Sequence, residues 1–206
     1  MLPNYYTVRG FGSHEIDIEK SRFICYIKEA KTENEAQQFI AEIKKKHFDA
    51  NHNCSAYLIG ENDEIQKAND DGEPSGTAGV PMLEVLKKRG LKDTVVVVTR
   101  YFGGKKLGAG GLIRAYGQSV SEGLNAVGIV ERTLVKVISV KVSYKLLGKV
   151  EHAIRNSNFH LEGVKHLEEV DFELWIKVGE LTTFKEWIVE LTNGSCQIDE
   201  SIVKYM

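Results

Sequence analysis

The longer of two glycine-rich segments contains residue types suited to binding an anion. This segment, Arg100–Gly117 (RYFGGKKLGAGGLIRAYG), follows an apolar run and opens a helical pattern. Glycines allow positive φ angles and close backbone approach, and successive N–H groups at a helix start bind anions. Its cations favour phosphate, and Tyr101 and Phe102 supply rings on which a base can stack. The candidate nucleic-acid-binding or anion-binding residues are Arg100, Gly103, Gly104, Lys105, Lys106, Gly108, Gly110, Gly111 and Arg114.

This segment differs from the two common glycine-rich nucleotide motifs. The Walker A pattern G-x-x-x-x-G-K-[ST] is absent, and the stretch GAGGLI departs from the dinucleotide-binding pattern G-x-G-x-x-G. An alternative therefore stays open, in which the glycines serve only a tight turn and close helix–strand packing. In that case Tyr101 and Phe102 belong to the core.

The second glycine-rich segment, Asp70–Pro81 (DDGEPSGTAGVP), is acidic. Paired carboxylates can hold Mg²⁺ or act as acid and base, but no third ligand is evident, and Asp-Gly and Glu-Pro favour a turn. A further possibility is that this loop pairs with Arg100 or Arg114 and orders the basic loop. The carboxylates of this possible partner loop are Asp70, Asp71 and Glu73.

A histidine and a cysteine two residues apart, His52 and Cys54, raise the possibility of a nucleophile. No residue that would orient the histidine can be assigned, and a buried Cys54 acting as a small apolar residue is the favoured interpretation. The three cysteines are far apart without a CxxC pair, and the histidines lack metal-ligand spacing. We therefore expect no catalytic residue, no metal and no cofactor, and a binding role rather than catalysis.

Composition is that of a soluble globular protein. The chain has 206 residues, of which 42% are hydrophobic and 27% charged, with a net charge of -2. This charge excludes a protein that coats nucleic acid by charge alone, so any such site is local. The N-terminus lacks a signal-peptide pattern, and the longest apolar run, near Val95–Val98, is far too short to cross a bilayer. These features predict a cytoplasmic protein without membrane contact.

Hydrophobic periodicity predicts two α+β domains. Val95–Val98 indicates a strand buried on both faces, and Gly110–Ala126 a helix whose apolar face includes Ile113. From Leu134 onwards the pattern reads β-α-β-β-α-β, which is the ferredoxin-like order. The boundary is predicted near Arg132–Lys136. The expected domains are 1–132 and 137–206.

Two long motifs, DDGEPSGTAGVPMLEVL and VVVVTRYFGGKKLGAGGLIRAYGQS, resemble those of the IMPACT (UPF0029) family, in its bacterial YigZ/YvyE-like branch. KSRFI and HNCSAY fit upstream, so the resemblance extends over essentially the whole chain. It implies that residues 1–132 form the family's N-terminal domain, similar to domain 2 of ribosomal protein S5. Residues 137–206 then resemble a ferredoxin-like domain of the kind found as domain V of elongation factor G.

The resemblance implies contact with RNA, the ribosome or a translation factor. The family has no established catalytic residues that could be transferred to this chain. Eukaryotic relatives regulate translation by competing for an activator of a starvation-responsive kinase and carry an additional RWD domain. The motifs here begin almost at Met1, so we expect this chain to lack that domain and its regulatory circuit. The functional hypothesis is a translation-linked regulator acting through the basic glycine-rich loop. The alternatives are an enzyme acting on a phosphorylated small molecule or nucleotide, and a protein-binding adaptor. The sequence does not indicate the oligomeric state.

Overall fold

The computed structural model describes all 206 residues, Met1–Met206. One compact unit is Tyr5–Glu131, and the other is Arg132–Met206 together with Met1–Asn4. In chain order the elements are β1 (Asn4–Val8), β2 (Phe11–Ile18), β3 (Ser21–Glu29), α1 (Glu33–Lys46), β4 (His52–Ile59), β5 (Ile65–Asn69), α2 (Gly79–Lys88), β6 (Thr94–Tyr101), α3 (Gly108–Val127), β7 (Ile129–Val142), α4 (Leu147–Arg155), β8 (His160–His166), β9 (Val170–Lys177), α5 (Leu181–Thr192) and β10 (Gln197–Tyr205).

The unit Tyr5–Glu131 is built around an antiparallel sheet in the order β2-β3-β6-β4-β5. Helices α2 and α3 cover one face, and α1 covers the other. Strand β6 is central. Its side chains Val96 and Val98 pack towards α2 and α3, whereas Val95 and Val97 pack towards α1. The prediction of a strand buried on both faces is therefore confirmed.

One predicted core residue of this unit is exposed instead. Helix α3 places Leu112, Tyr116, Val120 and Leu124 in the core, and their spacing of four residues forms one buried stripe. Ile113 is 45% exposed. It follows Leu112 by about 100° around the helix, which turns it away from the sheet.

The unit that includes Arg132–Met206 has the predicted β-α-β-β-α-β order, formed by β7, α4, β8, β9, α5 and β10. The pairings β10–β7, β7–β9 and β9–β8 are all antiparallel. Alternating residues of β7 and β9, such as Val140 and Phe172, form the core with Phe184 of α5. The two-domain α+β class with a ferredoxin-like second part is confirmed.

Two glycines of α3 allow the packing of this helix to be tested. We expect Gly123→Ala to destabilise the protein by about 1–3 kcal/mol, because an added Cβ would lie 2.9 Å from Cys25 Sγ in the core. Gly117→Ala should stabilise it by about 0.5–1 kcal/mol, since its Cβ would meet only Val85 at 3.8 Å. Urea unfolding followed by circular dichroism measures both. Equal stabilisation by the two substitutions would contradict the close packing of α3 on β3.

Candidate anion-binding site

A row of side chains crosses three strands where β6 ends. Arg100 of β6 lies opposite Phe23 of β3 and His52 of β4 in the antiparallel register. Strand alternation puts Arg100 on the same face as Val96 and Val98. The apolar face under α2 and α3 therefore ends in a cation and an imidazole.

Arg100 is only 5% exposed, and its guanidinium is held on several sides. One terminal nitrogen donates to Glu73 Oε1 at 2.7 Å, and the other donates to Ser21 Oγ at 3.3 Å. The rings of Phe23 and Phe102 lie 5.4 and 5.5 Å from its central carbon, within cation–π distance. The pairing of the acidic loop with Arg100, considered from the sequence, is thus present through Glu73. Arg100 Nε, which is also buried, has no hydrogen-bond partner.

The carboxylate of Glu73 is the polar centre beneath α3. Its side chain is 3% exposed, and Oε1 also accepts a hydrogen bond from the Tyr116 hydroxyl at 2.8 Å. The Cys54 thiol lies 3.3 Å from that hydroxyl. The other oxygen, Oε2, lies 3.8 Å from His52 Nε2. Oε1 of Glu73 therefore accepts hydrogen bonds from two side chains of the fold, whereas Oε2 accepts none.

Asp70 binds backbone N–H groups just before and at the start of α2. Its carboxylate accepts hydrogen bonds from the backbone N–H groups of Gly76, Ala78 and Gly79, at 2.8, 3.0 and 2.8 Å. Burial raises the pKa of Asp70, but these three bonds outweigh burial and hold the pKa below its ordinary value. Because α2 has no local side-chain cap, Asp70 satisfies the start of that helix from a distance.

Asp71 binds a different set of groups. It accepts hydrogen bonds from Lys44 Nζ at 2.6 Å and from the backbone N–H of Asn53 at 2.7 Å. Burial raises its pKa, while Lys44 and Asn53 lower it to a net value below the ordinary one. Asp70, Asp71 and Glu73 thus each hold a different part of the fold, and the segment forms turns and bends, as the sequence favoured.

His52 and Cys54 do not form a nucleophile pair. Cys54 is buried, and burial raises the pKa of its thiol to about 12, so the thiol remains protonated at neutral pH. The contacts of its sulfur are the Asp70 carbonyl at 3.0 Å and Tyr116. His52 Nδ1 donates instead to the Asp71 carbonyl at 2.9 Å. The interpretation of Cys54 as a buried small residue is confirmed.

The basic loop 102–107 is shaped by its glycines. Gly103 lies against the turn between β2 and β3, where an added Cβ would stand 1.8 Å from the Lys20 carbonyl oxygen. Gly104 and Gly108 have φ angles of +87° and +70°, which favour glycine. The turn role considered from the sequence is therefore real at these three positions, and it brings the loop to the mouth of a cavity.

That cavity, of about 450 Å³, lies between the loop, the acidic turn and the start of α3. Apolar groups of Pro74, Phe102, Leu107 and Leu112 form much of its wall. Phe102 is 45% exposed, so it is not the core residue that the alternative interpretation required. The polar groups in the lining are Asn51, His52, Glu73, Arg100 and Lys106.

The predicted cations separate into three situations. Arg100 is buried in its ion pair, and Lys105 pairs with Glu19 at the surface. Lys106 and Arg114 are exposed and form no ion pair within the chain. Both line a second depression next to Gly111, and Lys106 also lines the first cavity. Lys106 and Arg114 are therefore the cations available to a ligand.

Sequence reasoning missed several residues of the site. Asn51 Oδ1 accepts the backbone N–H of Phe102 at 2.8 Å, and Gly103 N–H donates to Ser21 Oγ at 3.2 Å, which anchors the loop on both sides. The helical pattern of Gly110–Ala126 does not reveal that the hydroxyl of Tyr116 reaches Glu73. No local pattern signals these contacts, because each joins residues that are distant in sequence.

Comparison with known proteins identifies the family. Residues 19–124 match the Impact N-terminal domain, and residues 140–195 match a domain of unknown function, DUF1949. IMPACT family member YvyE of Bacillus subtilis (strain 168) is 61% identical over 206 residues, covering 100% of this chain and 95% of that protein. The chain belongs to the IMPACT family. Family member YigZ of Escherichia coli (strain K12) is 30% identical over 184 residues, covering 88% of this chain and 90% of YigZ.

The similarity extends to a solved structure, described as a crystal structure of an hypothetical protein. It matches with a TM-score of 0.63 and 27% identity, covering 96% of this chain and 97% of that one. All residues lining the cavity fall within the part that matches the Impact N-terminal domain. The structure contains no helix with the length and apolar character needed to cross a membrane.

The buried ion pair of this IMPACT protein should dominate local stability. We expect Arg100→Met to lower the free energy of unfolding by about 3–5 kcal/mol, because it leaves the Glu73 carboxylate buried without its cation. Lys105→Met breaks an exposed pair and serves as the matched control, for which we expect no comparable loss. Chemical unfolding of both variants measures the difference. A similar effect of the two substitutions would contradict the role of the Arg100–Glu73 pair.

The depressed pKa of Asp70 predicts a pH dependence. Such a carboxylate adds stability above its unfolded-state pKa, and this stability is lost as the pH falls through the lower folded-state pKa. We expect Asp70→Asn to be about 1 kcal/mol less stable than the natural protein at neutral pH, because hydrogen bonds to a charged acceptor are stronger than those to a neutral one. The gap should close as the pH falls below the ordinary value of 3.8. A gap that is constant with pH would mean that the charge of Asp70 does not stabilise the start of α2.

Proposed function

We propose that this protein is a cytoplasmic, translation-linked regulator that binds RNA through the basic loop between β6 and α3. The RNA is either free, part of the ribosome or bound to a translation factor. One observation carries this proposal. The start of α3 has no capping side chain and no acidic residue in its first turn, and it lies beside the exposed cation Lys106 and the exposed ring of Phe102.

The start of α3 provides phosphate-binding geometry. The helix has 20 residues, and its first N–H groups, near Gly108–Gly110, donate no hydrogen bond to a capping side chain. The helix dipole and these N–H groups favour a negative charge at this end. The first residues of α3, Gly108, Ala109 and Gly110, have small or no side chains. A phosphate can therefore approach the backbone closely.

A base can be bound beside that phosphate. Phe102 is partly exposed at the cavity wall, and aromatic rings bind the bases of single strands with little dependence on sequence. Lys106 and Arg114 then contact the neighbouring backbone. The small net charge of the chain, -2, agrees with a short local contact rather than a continuous basic track.

Ribosome co-sedimentation and single-stranded RNA binding test this proposal. We expect Lys106→Ala combined with Arg114→Ala to weaken binding and to make the dependence of log K on log salt less steep by about 1.4, since two phosphate contacts are lost. A variant carrying Lys67→Ala and Lys88→Ala removes the same charge from exposed positions outside the loop. Its binding should remain close to that of the natural protein.

The result of the charge-matched pair decides the site. Equal loss in both double variants would show that binding follows overall charge and would exclude this loop as the site. Ribosome binding that resists both salt and nuclease would favour a protein-binding adaptor instead. Circular dichroism of each variant confirms that the fold is retained.

The cavity also supports a second function, that of an enzyme acting on a phosphorylated small molecule or nucleotide. The observation in its favour is the approach of Glu73 and His52 to 3.8 Å inside a pocket with apolar walls. A thermal shift with nucleotides that requires Mg²⁺ and is followed by turnover would favour it. Binding without turnover would leave RNA recognition as the function.

A further inference from the structure

We propose that the cavity beside the basic loop holds one ribonucleotide unit and reads its ribose through the carboxylate of Glu73. This inference rests on the proposed RNA binding and names which part of the nucleic acid enters the protein. The phosphate lies at the start of α3 with Lys106, the base lies on Phe102, and a ribose hydroxyl reaches the polar floor.

Glu73, which lines the cavity, has a carboxylate oxygen that accepts no hydrogen bond. Glu73 Oε1 is saturated by Arg100 and Tyr116, whereas Oε2 accepts no hydrogen bond within the chain. His52 donates from Nδ1 to the Asp71 carbonyl. Its other ring nitrogen, Nε2, lies 3.8 Å from Oε2, beyond hydrogen-bond distance. A group that donates a hydrogen bond is needed to satisfy Oε2.

Charge selects a neutral donor rather than a cation. The guanidinium of Arg100 already pairs with Glu73, and Lys106 stands in the cavity lining, so a ligand cation would face two positive side chains. A hydroxyl donates without adding charge. It also offers an acceptor, which matches Arg100 Nε, a buried N–H of a lining residue without a partner. The 2′-hydroxyl of ribose has both capacities, since it can donate one hydrogen bond and accept another.

The dimensions and walls agree with a single nucleotide. A volume of about 450 Å³ lies in the range of small-ligand pockets. Apolar contacts from Pro74, Leu107 and Leu112 surround the polar floor, while the cations and the α3 N–H groups are at the loop side. A double helix would keep its base stacked and its ribose outside the cavity. The ligand is therefore single-stranded RNA or a free ribonucleotide.

Recognition of a ribose hydroxyl separates RNA from DNA. A hydrogen bond to a charged group contributes enough to change affinity by about tenfold or more. We therefore expect wild-type protein to bind single-stranded RNA at least about tenfold more tightly than DNA of the same base sequence. RNA with 2′-O-methyl groups should bind as weakly as DNA, because the hydroxyl donor is lost.

Fluorescence anisotropy with three labelled single strands, RNA, DNA and 2′-O-methyl RNA, tests the inference on the unaltered protein. Phe102→Ala should weaken the binding of RNA and DNA together and leave their ratio unchanged, because both carry bases. Phe48→Ala is the matched control, since Phe48 is 85% exposed and does not line the cavity. Glu73→Gln should reduce the preference for RNA. If that variant does not fold, the 2′-O-methyl strand still decides the question.

The outcomes separate this inference from the proposed function. Equal affinity of the wild type for all three strands would overturn the ribose contact and leave RNA binding intact. No binding of any strand, and none of a free ribonucleoside monophosphate, would overturn both. Competition by the ribonucleoside monophosphate but not by its 2′-deoxy form supports the inference with a free nucleotide as ligand. Preference for RNA without such competition supports it with an RNA chain.

Discussion

The ion pair between Arg100 and Glu73 is the interaction on which the site depends. It joins the end of the central strand to the acidic turn, and through Ser21 and Tyr116 it also reaches β3 and α3. Removing two charges from water costs several kcal/mol for each ion, so a buried pair is stable only when further hydrogen bonds satisfy it. Tyr116 and Ser21 provide these bonds, and Oε2 of Glu73, a residue that lines the cavity, is left without a hydrogen bond.

Neighbouring residues of the two charged loops have different roles in the fold. Asp70 and Asp71 order the turn before α2, and Gly103, Gly104 and Gly108 allow the basic loop to lie against the β2–β3 turn. Residues that look equivalent in composition therefore have different roles. The cations available to a ligand are Lys106 and Arg114, which form no ion pair within the chain.

The two family matches cover different parts of the chain. The part that matches the Impact N-terminal domain contains the whole cavity, while the part that matches DUF1949 lies in the unit with the ferredoxin-like order. The names of the relatives state family membership without a reaction.

The amino-acid sequence by itself determined the elements, the two-part α+β class and the regions of interest, because hydrophobic periodicity, turn residues and glycine clusters act over short distances. It also indicated the buried Cys54 and the pairing of the acidic loop with an arginine. It could not distinguish Arg100, which the sheet register buries beside Phe23, from Lys106, which faces solvent. Nor could it join Asn51 to Phe102, or Tyr116 to Glu73. Only the tertiary structure decided these contacts, since strand register and helix packing bring together groups that no local pattern connects.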